Sequence, residues 1–444
     1  MADTLNPAQL QAVHHLDGAC LVLAGAGSGK TRVIAHKVAQ LLKAGLEPGE
    51  IAAITFTNKA AAEMRERIKT LVGARAAGRI VVSTFHSLGV RMLREDGTAV
   101  GLKQQFSILD ADDVLALLRD IGSCSDNKQA RQWQWAISLW KNQGLDADAA
   151  GAAAANETER TAARLMAAYH ERLAAYQAVD FDDLIGLPLK LLDRDEAVRA
   201  KWQDRFRHVL VDEVQDTNAV QYELMKRLVS HPDERRAGRF TAVGDDDQSI
   251  YGWRGATLDN LKRLQADWPR LKVVALTQNY RSTGLILRAA NHLIAANPKL
   301  FEKTLWSDLG DGEPVRRIAS DNDEHEAERA VSFIQSLRAA GAAGGVRWAD
   351  FAVLYRANHQ SRALEQKLRA AQIPYRVSGG QSFFDRAEIK DLMAWLRLLV
   401  NEDDDPAFLR AVTTPKRGIG HTTLQRLGEF AGAHRVSLFE ALFA

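Results

Sequence analysis

The chain has 444 residues, 46% of them hydrophobic and 26% charged, and a net charge of +2. That balance suits a soluble globular protein of about two to four domains and excludes a broadly basic surface, so any nucleic-acid site must be a local patch. The two cysteines, Cys20 and Cys124, lie far apart with no CxxC or Cys/His spacing, which speaks against a zinc or iron–sulfur centre. No basic and apolar leader is visible and no run of about 18 apolar residues occurs, so the expectation is a cytoplasmic protein without a membrane partner.

The first 86 residues alternate strand and helix signals. "CLVLA" (20–24), "IAAITF" (51–56) and "IVVSTF" (80–85) read as buried strands. "TRVIAHKVAQLL" (31–42) and "NKAAAEMRERI" (58–68) have helical spacing. Residues 87–184 read as an inserted helical domain, with Trp133, Trp135 and Trp140 followed by an alanine-rich stretch. Strand signals return at "HVLVDE" (208–213), "FTAVGD" (240–245), "VVALTQN" (273–279) and "FAVLYR" (351–356), and from about 376 the chain turns helical again. Strands alternating with helices predict an α/β fold with a parallel, helix-covered sheet.

Two motifs carry phosphate chemistry. "LVLAGAGSGKTR" is a strand, a glycine-rich turn and a helix start. The turn, Ala24, Gly25, Ala26, Gly27, Ser28 and Gly29, can aim backbone N–H groups at phosphate oxygens. Lys30 is expected at the β/γ-phosphates, Thr31 at Mg²⁺, and Arg32 as a further polar contact. The first position is Ala24 where the strict pattern has glycine. In "VLVDEVQDT" a strand ends in Asp212 and Glu213, at the sheet edge where ligands sit in open parallel sheets. Asp212 is the expected Mg²⁺ holder and Glu213 the base that orients the attacking water. A third stretch, "GDDDQSIYGWRG" (244–255), admits three readings: a metal site, a solvated acidic turn, or a joint between two ligands. It lacks calcium-loop spacing, which weighs against the metal. The solvated turn is retained for Asp245 and Asp246.

"LNPAQLQAV" (5–13), "AGAGSGKT" (24–31), "TFTNKAAAEMRERI" (55–68), "STFHSL" (83–88), "DFDDL" (180–184), "VDEVQDTN" (211–218), "GDDDQSIYGWRGA" (244–256), "QNYRST" (278–283), "LYRANHQSR" (354–362) and "SFFDRAEIKDL" (382–392) occur in this order. Together they resemble the Rep/UvrD/PcrA branch of superfamily 1 DNA helicases, over essentially the whole chain. The resemblance implies a P-loop motor driven by ATP and Mg²⁺ that moves 3′→5′ on single-stranded DNA and acts at single-strand/duplex junctions in replication restart or repair. It implies two RecA-like domains with helical insertions: 1–86 with 185–274 as the first, 87–184 as its insertion, 275–375 as part of the second, and 376–444 as the start of the second insertion.

By the same resemblance, Gln9 reads the adenine edge, Tyr280 stacks on adenine, Arg281 reaches the γ-phosphate and Gln248 senses it. Phe56, Phe181, Tyr251 and Trp253 match positions that stack on bases, a sequence-tolerant grip, and Arg254 adds charge. Thr57, Asn58 and His86 are backbone-contact candidates, as are Arg356 and Asn358 on the second motor domain. Gln248 and the Tyr251–Arg254 stretch are then a coupler between nucleotide and DNA. Replication-fork proteins and a second copy on DNA are the implied partners. Val214 stands where relatives carry an aromatic residue. The later motifs of the family's second motor domain are missing, so the expectation is a C-terminally truncated chain that is poorly active alone. Two alternatives stay open: a single-stranded DNA clamp with nucleotide as a conformational ligand, and the helicase part of a helicase–nuclease.

Overall fold

The computed structural model describes residues 5–233, 238–341, 345–378, 386–400, 402–415, 417–434 and 436–444. They form two compact units, Met1–Glu313 with Ala394–Ala444, and Pro314–Met393. At the centre of the first unit lies a wholly parallel six-stranded sheet. Its strands are β1 (Ala19–Ala24), β2 (Ile51–Thr55), β3 (Val81–Thr84), β4 (His208–Val211), β5 (Phe240–Gly244) and β6 (Lys272–Leu276). Their spatial order is β3-β2-β4-β5-β1-β6.

The apolar runs lack polar alternation because both faces of the sheet are covered. Successive side chains point to opposite faces. Leu21, Leu23, Ile54, Val209, Val211 and Phe240 meet helices α4 (Phe85–Asp96), α7 (Asp183–Arg194) and α8 (Ala219–Val229). Cys20, Val22, Ala53, Leu210 and Val243 meet α2 (Lys30–Lys43) and α3 (Asn58–Val72). A short α1 (Pro7–His14) packs on α2. All six strands run the same way, so the phosphate loop, the Asp212–Glu213 pair and residues 245–248 emerge at one edge.

Between β3 and β4 the chain leaves the sheet and builds a helical layer. Helices α5 (Asn127–Gln143) and α6 (Glu157–Ala175) bury Trp133, Ile137 and Trp140 against Met166, Tyr169 and Leu173. The spacing of these residues keeps them on one face of each helix. Residues of the 394–444 stretch join the same core through Phe408, Leu424 and Leu438, and Lys103 Nζ donates to the Val436 carbonyl at 2.7 Å. No helix among the described residues is long and apolar enough to cross a membrane.

Six of the seven expected strands are present, each within a few residues of its sequence limits. The seventh, "FAVLYR" (351–356), is not a strand, and Leu354 in it is 94% exposed. An apolar run becomes a strand only where neighbouring backbone pairs with it. Among the described residues none does.

Helices α4 and α7 touch at Gly89. A Cβ there would lie 1.7 Å from the Leu184 carbonyl oxygen, a backbone atom that cannot move aside. Gly89→Ala is therefore expected to lower stability by about 2 kcal/mol, the scale of an overpacked core. Thermal denaturation beside the wild type measures this, and an unchanged midpoint would show that the two helices have slack.

Candidate functional site

The phosphate loop is built by backbone geometry. Gly27 and Gly29 have φ of 68° and 90°, the left-handed region that favours glycine. Space also demands it: a Cβ on Gly27 would meet Asn279 Nδ2 at 2.6 Å and the Arg281 Cβ at 2.7 Å. Gly29 caps α2, so Lys30, Thr31 and Arg32 open the helix, whose N-terminus favours anions. Ser28 Oγ donates to the Gly25 carbonyl at 2.7 Å and ties the loop to itself.

Gln9, expected at an adenine edge, is fully buried beneath this loop. Its Nε2 donates to the Ser28 carbonyl at 2.9 Å and its Oε1 accepts from the Asn6 amide at 3.0 Å. Both ends of the side chain are thus engaged by the protein. Tyr280 stands beside the loop with its ring 44% exposed. Its amide donates to the Gly27 carbonyl at 2.9 Å, and its hydroxyl accepts from Asn6 Nδ2 at 2.8 Å. Asn279, absent from the sequence-derived set, clamps the loop from the same strand end. Its Nδ2 donates to the Ala26 carbonyl at 2.5 Å, and its Oδ1 accepts from the amides of Arg281 and Ser282. Arg281 is thereby fixed next to Gly27.

At the end of β4, Lys30 Nζ and Glu213 Oε2 are 2.6 Å apart. Glu213 sits at φ 52°, ψ 44°, an uncommon left-handed conformation for a non-glycine residue. Strain of this kind persists where the surroundings over-determine the position. Here Gln215 does so: its Nε2 donates to Glu213 Oε2 at 2.8 Å, and its Oε1 accepts from the Asp245 amide at 3.0 Å. Asp212 is buried behind the pair. Burial, and then the charge of Glu213, push its carboxyl up to about 7, against the pull of Lys30. Val214 is buried in the sheet core and fills its position without an aromatic ring.

The triple aspartate is not a solvated turn. Asp245 and Asp246 are 2% and 7% exposed. The three carboxylates lie within 4.8 Å of one another, and the ammonium of Lys303 occupies the space among them. Lys303 Nζ is 2.8 Å from Asp245 and 2.9 Å from Asp247, and it also bonds Asp246. Burial alone would lower the pKa of this ammonium, but its hydrogen bonds to the three carboxylates outweigh that and raise it. Asp245 also accepts from Gln248 Nε2. One continuous path of polar contacts therefore runs Lys30–Glu213–Gln215–Asp245–Gln248. Nothing in "LFEKTLW" distinguishes Lys303 in the sequence, because its partners are 56 to 58 residues away.

A few residues past Gln248 the chain reaches a second region. Phe56 and Tyr251 stack at 5.5 Å with a 17° interplanar angle, and Tyr251 meets Trp253 at 6.3 Å. His86 and Phe181 approach at 5.8 Å, and burial lowers the His86 pKa. A cavity of about 740 Å³ is lined by Phe56, Thr57, Asn58, His86, Phe181 and Trp253. Phe181 and Trp253 are 56% and 59% exposed. Phe181 is held out by its neighbours. Asp180 and Asp183 bind the buried Lys141 at 2.6 and 2.7 Å, Tyr169 donates to Asp180 at 2.7 Å, and Asn142 donates to Asp182 at 2.9 Å. The Arg254 side chain lies outside the described residues. Arg356 and Asn358 belong to the second unit, where Asn358 lines a separate hollow with Trp348 and Tyr355.

The sequence reading missed Lys303, Asn279 and Trp135, which also lines the aromatic cavity. Trp135 had a signal: Trp133 and Trp140 are seven apart on one helical face, and Trp135 is out of phase with both.

Removing the Lys303 ammonium leaves three carboxylates facing one another away from water. Lys303→Met is expected to cost about 3 kcal/mol of stability, the scale of a broken buried ion pair, and adding Asp246→Asn should regain part of it. Urea denaturation of both variants reads this. A single variant as stable as wild type would show that the lysine is not the counter-charge.

Two family models match the chain: the UvrD/REP helicase N-terminal domain over residues 5–269 and the UvrD-like helicase C-terminal domain over residues 274–442. The ATP-dependent DNA helicase Rep of Escherichia coli (strain K12) is 51% identical over 443 residues, 99% of this chain and 65% of that protein. The Rep of Salmonella typhimurium is 50% identical over 99% of this chain and 64% of its own length. The ATP-dependent DNA helicase PcrA of Bacillus subtilis (strain 168) is 41% identical over 99% of this chain and 59% of its own length. The chain thus spans about two thirds of the length of the curated Rep relatives it matches. The expectation of a truncated chain is not supported by the family models, which together run from residue 5 to residue 442. With matches across both halves and identity at this level along 99% of its residues, the chain belongs to the UvrD/Rep helicase family.

Proposed function

We propose that the chain is the ATP-driven motor of a 3′→5′ DNA helicase that binds nucleotide at the phosphate loop and single-stranded DNA at the aromatic cavity. The observation that carries this reading is the polar path from Lys30 to Gln248, which ends three residues before the stacked Tyr251. A first RecA-like domain is assigned to 1–86 with 185–274, its insertion to 87–184, part of a second motor domain to 275–375 and the start of a second insertion to 376–444.

The Lys30–Glu213 pair defines the resting arrangement. Phosphate oxygens entering the loop compete for the Lys30 ammonium, and its departure frees the Glu213 carboxylate to orient a water. Glu213 needs no reorganisation to do so, because its backbone and Gln215 already fix it. The Arg281 Cβ lies beside Gly27, and from there its guanidinium would supply the cation that stabilises charge developing on the transferred group. The Thr31 hydroxyl and the Asp212 carboxylate are hard oxygen donors, the set that suits Mg²⁺. Bound there, the ion would neutralise phosphate charge. Gln248 shares Asp245 with Gln215, so a change at the γ-phosphate side is felt by the same loop that carries Tyr251 and Trp253. Aromatic faces hold bases of every identity, which suits movement along a strand and its junction with duplex.

Two substitutions separate the motor from a clamp that uses nucleotide only as a conformational ligand. Lys30→Ala is expected to cut ATP turnover about 100-fold or more while leaving affinity for an oligo(dT) within about twofold. Trp253→Ala is expected to weaken oligo(dT) binding about tenfold, one lost stacking platform. Steady-state hydrolysis and fluorescence anisotropy measure the two. Turnover equal to wild type in Lys30→Ala would exclude the motor.

A further inference from the structure

We propose that the exposed face of α5 is an extension of the DNA track, in which Trp135 stacks on a base and Arg131 and Lys128 contact the phosphates beyond it. This inference rests on the reading of the aromatic cavity as the single-strand site.

Helix α5 is two-faced. Ala130, Trp133, Ile137 and Trp140 are buried in the helical core. Trp135 points the other way and is 57% exposed, a large apolar surface left in water. Four residues of this helix, Trp135, Ser138, Leu139 and Asn142, line the aromatic cavity together with Phe181 and Trp253. Trp135 is therefore part of that cavity's wall. It is also the shared boundary with a second hollow of about 510 Å³, lined by Asn127, Lys128, Arg131, Gln132 and Trp135.

The spacing makes these one stripe. Positions 128, 131, 135, 138 and 142 are three or four apart and so lie on one side of a helix. The stripe is about 21 Å long at 1.5 Å per residue. Its inner end is tied within the insertion, where Asn142 Nδ2 donates to Asp182 Oδ1 at 2.9 Å, and to the motor, from which Asn218 Nδ2 donates to Asn142 Oδ1 at 2.5 Å. Asn218 caps α8, which directly follows the Asp212–Glu213 segment.

The chemistry of the outer end selects the occupant. The second hollow contains two cations, two amides, an indole and no carboxylate. Lys128 and Arg131 are exposed, and neither makes an ion pair among the described residues. The nearest acid in sequence, Asp126, is turned to the helix N-terminus, where it accepts from the Lys128 amide at 2.8 Å. An aromatic ring flanked by free cations, continuous with a base-stacking cavity, matches a strand of alternating bases and phosphates. It does not match an acidic or apolar protein segment equally well, since the hollow's only ring already serves the cavity wall.

The test uses the whole chain and fluorescein-labelled oligo(dT) of about 8 and about 16 nucleotides, which bracket the span of one single-strand site. Wild type is expected to bind the longer strand more tightly. Trp135→Ala is expected to weaken the longer strand about tenfold and the shorter by less than about twofold, with Trp135→Phe restoring most of the loss. Lys128→Gln/Arg131→Gln should lower the slope of log affinity against log salt by about 1.4 on the longer strand, at about 0.7 per single-strand phosphate. Circular dichroism melting of the variants should match wild type, because all three side chains are exposed. Equal effects on both lengths, no effect on either, or a loss confined to a blunt duplex would overturn the proposal. If wild type binds neither oligonucleotide, the reading of the aromatic cavity itself fails, which is a different outcome.

Discussion

The ion pair between Lys30 and Glu213 holds together two strands that do not touch. Lys30 follows β1, Glu213 follows β4, and β5 lies between them in the sheet. A parallel sheet delivers both residues to one edge, but only to within reach. The final approach is made by a left-handed backbone at Glu213 and by Gln215, which reaches from one strand end to the next. Two further groups are arranged around this bridge: Asp212, whose carboxyl is pushed up by burial and then by the charge of Glu213, and Gln248, which is reached through Asp245.

The second organising element is a lysine that performs the task often given to a metal. Three carboxylates in one small volume would repel strongly away from water, and Lys303 supplies the single charge that makes the arrangement tolerable. It also accounts for the buried aspartates within a loop so close to solvent. The chain segment around Lys303 is drawn in by the same contact, since the Phe301 amide donates to Asp246 at 3.2 Å. Gly25 nearby is closed over by Leu305, whose Cδ2 would lie 2.2 Å from a Cβ at that position. Residues 300–305 thus form a floor beneath both the phosphate loop and the aspartate cluster.

Most of the sheet was legible in the sequence because its burial is two-sided. "CLVLA" is apolar throughout, and "HVLV" and "FTAV" carry one polar residue each, His208 and Thr241, a pattern that depends only on local composition. The phosphate loop was legible for a related reason: its glycines and Lys30 fall within residues 25–30, and the geometry they need is local. Lys303 and Asn279 were not legible, because a lysine or an asparagine acquires its role only when distant residues arrive. Gln9 likewise has contacts hidden from the sequence: it bonds the Asn6 amide and the Ser28 carbonyl, neither of which a linear pattern displays. "FAVLYR" failed because pairing is non-local: an apolar run states a preference, and the partner strand decides.

Under the proposed function, the placement of Phe181 has a consequence for the cost of gripping a strand. A ring more than half in water would ordinarily fold back onto the nearest apolar wall. Here the residues on either side are fastened inward by charge, Asp180 and Asp183 to Lys141 and Asp182 to Asn142. The ring has nowhere to retreat. The hydrogen bonds and ion pairs around it form during folding, so less ordering entropy is left to be lost when a base stacks on the ring. Asp182 lines the cavity beside the ring, but one of its carboxylate oxygens is engaged by Asn142, and Asp180 and Asp183 are paired with Lys141.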